Sequence, residues 1–172
     1  PKPATSILYI NQNGSFHPDG KNTNVFAKIG LVSGSIFSDI DNDGDPDLIL
    51  AMEWGPITVL NNNNGKFIDI TSKVGLFNYK GWWNGVATGD FNEDGLMDIV
   101  ATNWGVNTKY HFSLNHPLKV YFNDFDDNNI LDIVEAHYDD EFQDFVPERG
   151  FSCISNAMPF VKEEKQTFFN YA

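Results

Sequence analysis

The chain has 172 residues, of which 41% are hydrophobic and 15% aromatic, so it is long and apolar enough to bury a core and is not a disordered tail. Its formal net charge of −13 makes it unsuited to binding nucleic-acid phosphates. Its apolar runs fall short of the roughly 18–20 residues of a membrane span, so no span is expected. The single cysteine, Cys153, excludes an internal disulfide framework, and we expect it to be buried as a small apolar residue.

Short strands and turns recur along the chain in the same order. The segment Ile7–Phe16 predicts two strands joined by an Asn/Gly turn, and Ile57–Phe67 repeats the pattern. The second copy follows the first at an offset of 51 residues, which also separates Asp39 from Asp90. A period of this length, built from several short strands, indicates the blade of a β-propeller.

Three acidic segments, 39–47, 90–98 and 124–132, are each followed at once by an apolar, strand-like run. They contain thirteen of the 24 acidic residues and no basic residue. Closely spaced carboxylates repel one another unless a cation lies among them. Ca²⁺ prefers several oxygen ligands, whereas zinc prefers His and Cys. The spacing therefore predicts calcium sites, two in the first two loops and a third in the last, although Asp/Asn/Gly turns without a metal are the alternative.

Oxygen-bearing side chains occupy the first, third, fifth and ninth positions of each loop. These predicted ligands are Asp39, Asp41, Asp43 and Asp47 in the first loop, Asp90, Asn92, Asp94 and Asp98 in the second, and Asp124, Asp126, Asn128 and Asp132 in the third. The seventh position would offer its backbone carbonyl, from Asp45, Leu96 and Ile130. Gly44 and Gly95 permit a sharp bend at the sixth position, where the third loop has Asn129, a residue that tolerates left-handed backbone.

An EF-hand also begins with alternating acidic residues, but it requires a bidentate Glu at the twelfth position and helices on both sides of the loop. The twelfth residues here are Leu50, Ala101 and Glu135, so two loops lack that ligand. The runs after the loops are short, apolar and partly β-branched, which favours strands. We therefore predict hairpin turns closed by the ninth-position Asp.

The third unit is altered, because its loop follows the second by only 34 residues and Lys109–Pro117 displaces the intervening hairpin. Past His137 the repeat pattern ends. We predict repeats over 1–137 and a connection or helical insertion over 138–172, with a solvated acidic loop at 139–144 and a short helix at Pro159–Tyr171.

The predicted fold is all-β: a partial β-propeller of about two and a half to three four-stranded antiparallel blades with calcium-binding hairpin loops, plus a short C-terminal helix. A closed propeller needs at least about four blades. We therefore expect the chain to continue into a longer protein or to associate with other copies.

The motif Asp-x-Asp-x-Asp-Gly-x-x-Asp before an apolar strand, at 39–50 and 90–100, resembles the FG-GAP/VCBS repeats that also build the head of integrin α-subunits. The likeness covers residues 5–137. Within that group, the segments Gly81–Phe91, Ala101–Gly105 and Arg149–Ser155 resemble bacterial surface proteins that carry an ASPIC/UnbV segment. The resemblance implies a calcium-stabilised propeller, secreted or attached to the cell surface, that serves adhesion or recognition.

We therefore expect a non-catalytic extracellular or cell-surface module, with a periplasmic location as a variant, that binds a protein or glycan ligand. One alternative is the propeller portion of a secreted carbohydrate-active enzyme, in which Glu53 and Glu135 could form a carboxylate pair. Another is a subunit of an extracellular fibre formed by self-association through open sheet edges.

The remaining polar and aromatic residues predict no catalytic constellation. The four histidines are scattered without metal-ligand spacing, and we interpret them as ordinary polar residues. The tryptophans Trp54, Trp82, Trp83 and Trp104 could form a platform for stacking sugars, but in a propeller we expect them to pack. We also expect the segments Glu53–Gly55 and Asn103–Gly105 to occupy matched places in the two repeats.

Overall fold

A computed structural model describes residues 5–105 and 108–164 of the protein. The strands are β1 Tyr9–Gln12, β2 Ser15–Pro18, β3 Leu31–Ser38, β4 Asp47–Gly55, β5 Thr58–Asn63, β6 Lys66–Asp69, β7 Gly81–Gly89, β8 Asp98–Asn103, β9 Lys119–Asn123, β10 Asp132–Asp139 and β11 Asp144–Pro147. The helices are α1 Thr23–Phe26, α2 Phe151–Ala157 and α3 Phe160–Glu164. The chain divides into two compact units, one ending at Trp104 and one beginning at Gly105. The predicted mostly-β fold of antiparallel sheets with short C-terminal helices is confirmed.

The first full repeat forms the four-stranded antiparallel sheet expected of a blade. Its strands lie in the order β3-β4-β5-β6, each paired with its neighbour in sequence. The strand β4 reads Asp-Leu-Ile-Leu-Ala-Met and is buried over those six residues. A strand that is apolar at every position must be covered on both faces, because successive side chains point to opposite sides of the sheet.

Each face of β4 has its own core cluster. Leu48, Leu50 and Met52 pack on one face with Phe26 of α1 and with Phe67 of β6. On the other face the cluster consists of Ile49, Ala51, Ile57 and Val59, with partly buried residues of β7 and β8 against it. The first face therefore closes the blade with α1, and the second face joins the first repeat to the second.

The buried Asn22 holds α1 to the β5–β6 turn. Its side-chain amide donates a hydrogen bond to the carbonyl of Gly65 at 3.0 Å, and its Oδ1 accepts one from the backbone N–H of Phe67 at 2.9 Å. Asn22 is only 1% exposed, so these bonds satisfy polar atoms that would otherwise be costly to bury.

The second repeat copies the first strand pair residue for residue. β7 and β8 pair as β3 and β4 do, and each pair breaks register at the same place, skipping Ser33 in β3 and Asn84 in β7. Glu53 pairs with Leu31, and the residue 51 positions after Glu53 is Trp104. The predicted match between Glu53–Gly55 and Asn103–Gly105 is therefore wrong by one residue: the strand register pairs Trp54 with Gly105, not with Trp104.

The second unit contains a three-stranded sheet in the order β11-β10-β9. β10 runs across residue 137, where the sequence suggests that the repeats end, and the acidic stretch 139–144 forms the turn that leads into β11. The predicted helix at Pro159–Tyr171 is present over Phe160–Glu164, and its remainder lies outside the described residues.

The helix α2 is an element that the sequence interpretation missed. Its buried side is formed by Ile154, which packs with Met158, Val161 and Val134 of β10. Cys153, next to Ile154, points away from this cluster and is exposed. The expectation that Cys153 is buried is therefore wrong, because successive residues of a helix point about 100° apart.

Candidate metal centres in the acidic loops

Each acidic loop turns the chain from one strand into its antiparallel partner. The first lies between β3 and β4, the second between β7 and β8, and the third between β9 and β10. No helix flanks any of them. The predicted hairpin turns are thus found, and the helix–loop–helix geometry of an EF-hand is excluded.

The three loops share one backbone conformation. The fourth and sixth positions have positive φ in every loop: Asn42 58° and Gly44 92°, Glu93 60° and Gly95 85°, Asp127 55° and Asn129 65°. Asn is among the few non-glycine residues that adopt such angles readily. Asn129 therefore preserves the bend that Gly44 and Gly95 make, as the sequence predicts.

Hydrogen bonds from the loop backbone hold the first- and ninth-position carboxylates. Asp39 accepts from the N–H groups of Asp43, at 3.1 Å, and Gly44, at 3.0 Å, and Asp90 and Asp124 do the same in their loops. The N–H of the second residue donates to Oδ2 of the ninth, at 3.0 Å in each loop. These donors belong to the same loop as the carboxylate that they hold, so the local sequence is enough to orient both carboxylates in each loop.

Two loops gather three carboxylates each. One oxygen from each of Asp39, Asp41 and Asp43 lies within 4.8 Å of the others, and Asp124, Asp126 and Asp132 form a similar group. The second loop has Asn92 at its third position, and no such group of three acidic side chains forms there among the described residues. Two unit charges at this separation repel by about 1–3 kcal/mol, so a cation between them would be favourable.

The donor set consists of oxygen atoms, which suits a hard cation such as Ca²⁺ and does not suit zinc. Asp39, Asp41 and Asp43 would hold the ion in the first loop, and Asp124, Asp126 and Asp132 in the third. The side-chain oxygens of Asn92 and Asn128 already accept backbone N–H groups, from Asp94 at 3.1 Å and from Ile130 at 2.7 Å. A carbonyl oxygen has two lone pairs and can still bind a cation. Ligation by the carbonyls of Asp45, Leu96 and Ile130 stays a prediction.

Asp47 is the predicted ligand that the structure uses differently. It is 0% exposed and does not join the group formed by Asp39, Asp41 and Asp43. Its Oδ1 accepts hydrogen bonds from the side chain of Asn61 at 3.1 Å and the N–H of Asn62 at 2.7 Å, while Oδ2 accepts from Ile40. Asp47 therefore joins the loop to β5.

Sequence reasoning missed the asparagines of the β5–β6 hairpin as part of this site. The amide of Asn61 also donates to Asp41 at 2.7 Å, and the N–H of Asn64 donates to Asp45 at 2.7 Å. The run of four asparagines at 61–64 was the available signal. Of these four residues, Asn61 donates to the loop carboxylates through its side-chain amide, whereas Asn62 and Asn64 donate to them through their backbone N–H groups.

A second polar cluster lies in the other unit. The hydroxyl of Tyr110 donates to Oε1 of Glu135 at 2.9 Å, and Nδ1 of His137 lies 2.8 Å from the carboxylate of Glu148. Burial, followed by the hydrogen bond to Glu135, raises the pKa of Tyr110 above its usual value of 10.0. Glu135 therefore belongs to this cluster, while Glu53, its suggested catalytic partner, lies in the first unit.

Comparison with known proteins agrees with this geometry. The family described as the FG-GAP-like repeat matches residues 39–101, from the first residue of the first loop into β8. Residues 39–101 match the FG-GAP-like repeat. The resemblance to FG-GAP proteins is thus confirmed over this segment, while the narrower likeness to bacterial surface proteins stays a prediction. The matched segment contains β4 to β7, the first part of β8 and the first two acidic loops.

The chain is also similar to proteins named cartilage acidic protein 1. It is 34% identical over 108 residues to the protein from Xenopus tropicalis, covering 59% of this chain and 17% of that relative. The Homo sapiens protein is 31% identical over 98 residues, covering 56% of this chain and 14% of the relative. The chain thus spans about one sixth of the length of these relatives. No solved structure matches it. Among the described residues, no helix is both long and apolar enough to cross a bilayer.

Proposed function

We propose that the chain is a calcium-binding, non-catalytic repeat module of an extracellular or cell-surface protein, used for recognition or structural assembly. The observation that carries this proposal is the shared construction of the three acidic loops. Each has the same two left-handed positions and the same backbone hydrogen bonds to its first and ninth carboxylates. Three copies of one arrangement are difficult to explain as unrelated surface turns.

The role of the ion in this proposal is structural. A cation among Asp39, Asp41 and Asp43 would remove the repulsion that these carboxylates exert on one another in the folded loop. It would also tie the loop to β5, because Asn61 donates to Asp41 and to the buried Asp47. Calcium binding would therefore stabilise the pairing of β4 with β5 in addition to the turn itself.

The location follows from the chemistry of the ion and from the relatives. Loops of this simple kind bind Ca²⁺ weakly, and the millimolar concentrations outside cells suit them better than cytosolic concentrations. The relatives are named for cartilage, a tissue rich in extracellular matrix. We therefore place the module outside the cell, where its partner is a protein or a glycan.

Thermal unfolding in calcium and in chelator tests this proposal. Saturation to one hundred times Kd stabilises a folded protein by about 2.7 kcal/mol per site. For a chain of this size that corresponds to a rise in Tm of about 5–10 °C per site. Isothermal titration should find two or three calcium sites. An unchanged Tm in chelator, together with no heat of calcium binding, would refute the proposal.

Asp43→Asn provides a matched variant for the first loop. The fifth position of the third loop is already Asn128, whose oxygen accepts the N–H of Ile130 as Asp43 accepts that of Asp45. The substitution therefore keeps the turn and removes one charge, and it should weaken calcium binding at one site about tenfold. Asp140→Asn, an exposed residue outside the loops, removes the same charge and should leave calcium binding unchanged.

A further inference from the structure

A row of side chains crosses the junction between the two repeats. Glu53 of β4 pairs with Leu31 of β3 on one side and with Trp82 of β7 on the other. The ring of Trp104 stacks on that of Trp82 with centroids 4.8 Å apart and planes 10° apart. Trp54 contacts Trp82 edge-on, also at 4.8 Å. The junction thus carries three touching indoles beside one carboxylate.

The repeat scaffold does not require these tryptophans. At the offset of 51 residues, Trp82 corresponds to Leu31, Trp104 to Glu53, and Trp54 to Gly105. Each tryptophan of the row therefore stands where the other repeat has a different, non-aromatic residue. The three indoles are a feature of this junction, and a packing role common to all blades does not account for them.

Trp54 occupies its position at a conformational cost. Its φ is 59°, and the register between β4 and β7 shifts across it, so it is the bulged residue. Gly105, at the equivalent position, has φ 56° and bears no side chain to clash. A bulky aromatic residue in the left-handed region is an outlier, and such outliers concentrate at functional sites. The indole of Trp54 therefore stands at a position whose backbone conformation favours glycine.

Two of the three indoles are open to solvent. Trp54 is 36% exposed and Trp104 is 47% exposed. Trp83, in contrast, packs against the core on the second face of β4, and its ring N–H donates to the carbonyl of Tyr79. Trp54 and Trp104 are thus exposed on either side of the partly buried Trp82, which both of them contact. A contiguous exposed aromatic surface is a common mark of a binding site.

The charge around this surface favours a cation. Glu53 forms no ion pair among the described residues, and the segments 53–57, 81–86 and 101–105 contain neither Lys nor Arg. The nearby Lys80 lies over the ring of Phe77, with Nζ 5.1 Å from its centroid. Indole faces attract cations through their quadrupole, and a neighbouring carboxylate adds to that attraction.

We propose that Trp54, Trp82, Trp104 and Glu53 form a site that binds an arginine or lysine side chain of a partner protein. The cationic group stacks on an exposed indole face and its charge is balanced by the carboxylate of Glu53. This assignment rests on the proposed role as a recognition module, whose partner class it specifies. It does not rest on calcium, because the site uses none of the acidic loop residues.

A peptide titration followed by the tryptophan ring N–H signals in NMR tests the assignment. The probe is an acetylated and amidated peptide of alternating arginine and glycine, measured in 150 mM salt with calcium. Its twin has citrulline in place of arginine, which keeps the shape and removes the charge. The arginine peptide should shift the ring signals of Trp54, Trp82 and Trp104 with a Kd at least about fivefold lower than that of its twin.

Two variants locate the binding. Trp54→Gly installs the residue found at the equivalent position 105, so the backbone keeps its conformation, and Glu53→Gln removes the charge. Each substitution should raise the Kd of the arginine peptide about two- to fivefold. Glu93→Gln, an exposed residue of the second loop, removes the same charge elsewhere, and Phe16→Ala removes an aromatic side chain that is 67% exposed outside this row. Both controls should bind as the unchanged protein does.

Four results would overturn the assignment. They are equal binding of the citrulline twin, unchanged binding by Trp54→Gly and Glu53→Gln, an equal loss in Glu93→Gln, and ring shifts caused by cellohexaose but not by the peptide. The last would make the row a sugar platform. Trp54→Gly should retain the calcium-dependent rise in Tm. If the unchanged protein shows the calcium-dependent rise but does not bind the arginine peptide, only this site is contradicted. If it binds the peptide but shows no rise in Tm, only the calcium proposal is contradicted.

Discussion

The buried carboxylate of Asp47 accepts a hydrogen bond from the backbone N–H of Asn62 at 2.7 Å and so joins the end of the first acidic loop to β5. Asp47→Asn should lower the free energy of unfolding by about 2–4 kcal/mol. The reason is that three N–H donors surround the two oxygens, and either orientation of an amide turns its NH₂ group towards at least one of them.

Urea denaturation monitored by circular dichroism measures this change, with Asp140→Asn as the control for the loss of one charge. The chelator should be present throughout, so that any calcium effect is removed. A loss below about 0.5 kcal/mol would mean that the buried hydrogen bonds of Asp47 do not stabilise the fold.

The strain at Trp54 predicts an unusual order of stabilities. Trp54→Gly loses the contact with Trp82 but also relieves the left-handed backbone, which costs on the order of 1–3 kcal/mol for such a residue. The two effects should nearly cancel. Trp54→Ala loses the same contact and keeps a Cβ in the strained conformation, so it should be about 1 kcal/mol less stable than Trp54→Gly.

Thermal melting of both variants and of the parent protein measures this difference in stability. At an ordinary strand position the order would be reversed, since Gly is less favourable than Ala there. A more stable Ala variant would therefore show that Trp54 does not adopt the left-handed conformation.

Asn129 should be replaceable by Gly but not by Ala. Its φ of 65° is the bend that Gly44 and Gly95 make in the other loops. Asn129→Gly should change the free energy of unfolding by less than about 0.5 kcal/mol, whereas Asn129→Ala should cost about 1 kcal/mol. Chemical denaturation in chelator measures both. Equal stabilities of the two variants would argue that the third loop has a different turn.

Tyr110 should titrate late. Burial and its hydrogen bond to Glu135 raise its pKa above 10.0 in the folded protein. A raised folded-state pKa means that the contribution to stability is complete at pH below the unfolded value of 10 and is lost as the pH rises through the folded value. Absorbance at 295 nm should therefore show one tyrosine that ionises after the others.

Tyr110→Phe identifies that tyrosine, since the late phase should vanish from its titration curve. The variant should also lose about 1–2 kcal/mol at neutral pH, because Glu135 then lacks the hydroxyl donor. Persistence of the late phase in Tyr110→Phe would assign it to another residue. A Tyr121→Phe control, which alters an exposed ring, should leave the late phase in place.

The acidic loops and the blade could be predicted from the sequence because both are local. The bend at Gly44, the acceptor role of Asp39 and the exit into β4 all involve residues within a few positions of one another. The period of 51 residues then carries the same construction to the second loop. The alternating oxygen-bearing residues and the short apolar strands are therefore sufficient to predict the loops and the blade.

What the sequence could not reveal depends on register and on distant partners. The similar tripeptides Glu53–Gly55 and Asn103–Gly105 suggest one alignment of the two repeats. The register of the paired strands gives another alignment, shifted by one residue. The contact of Asn22 with Phe67 spans 45 positions and leaves no periodic signal. The helix α2 is short, and its helical state depends on packing against β10, which short-range propensity does not predict.

The junction between the repeats has a mechanical consequence. The backbones of β4 and β7 are in register only at the pairs Glu53–Trp82 and Gly55–Gly81, and further contacts between the repeats are made by side chains on the second face of β4. β3 and β4, in contrast, are paired along nearly their whole length. The hydroxyl of Ser33 lies within hydrogen-bonding distance of the carbonyls of Ala51 in β4 and Trp83 in β7 and shares its one proton between them. A pulling force should separate the two repeats at this junction before it breaks the strand pairing within either hairpin. The aromatic surface would then be lost first, so tension would release a ligand bound to the tryptophans.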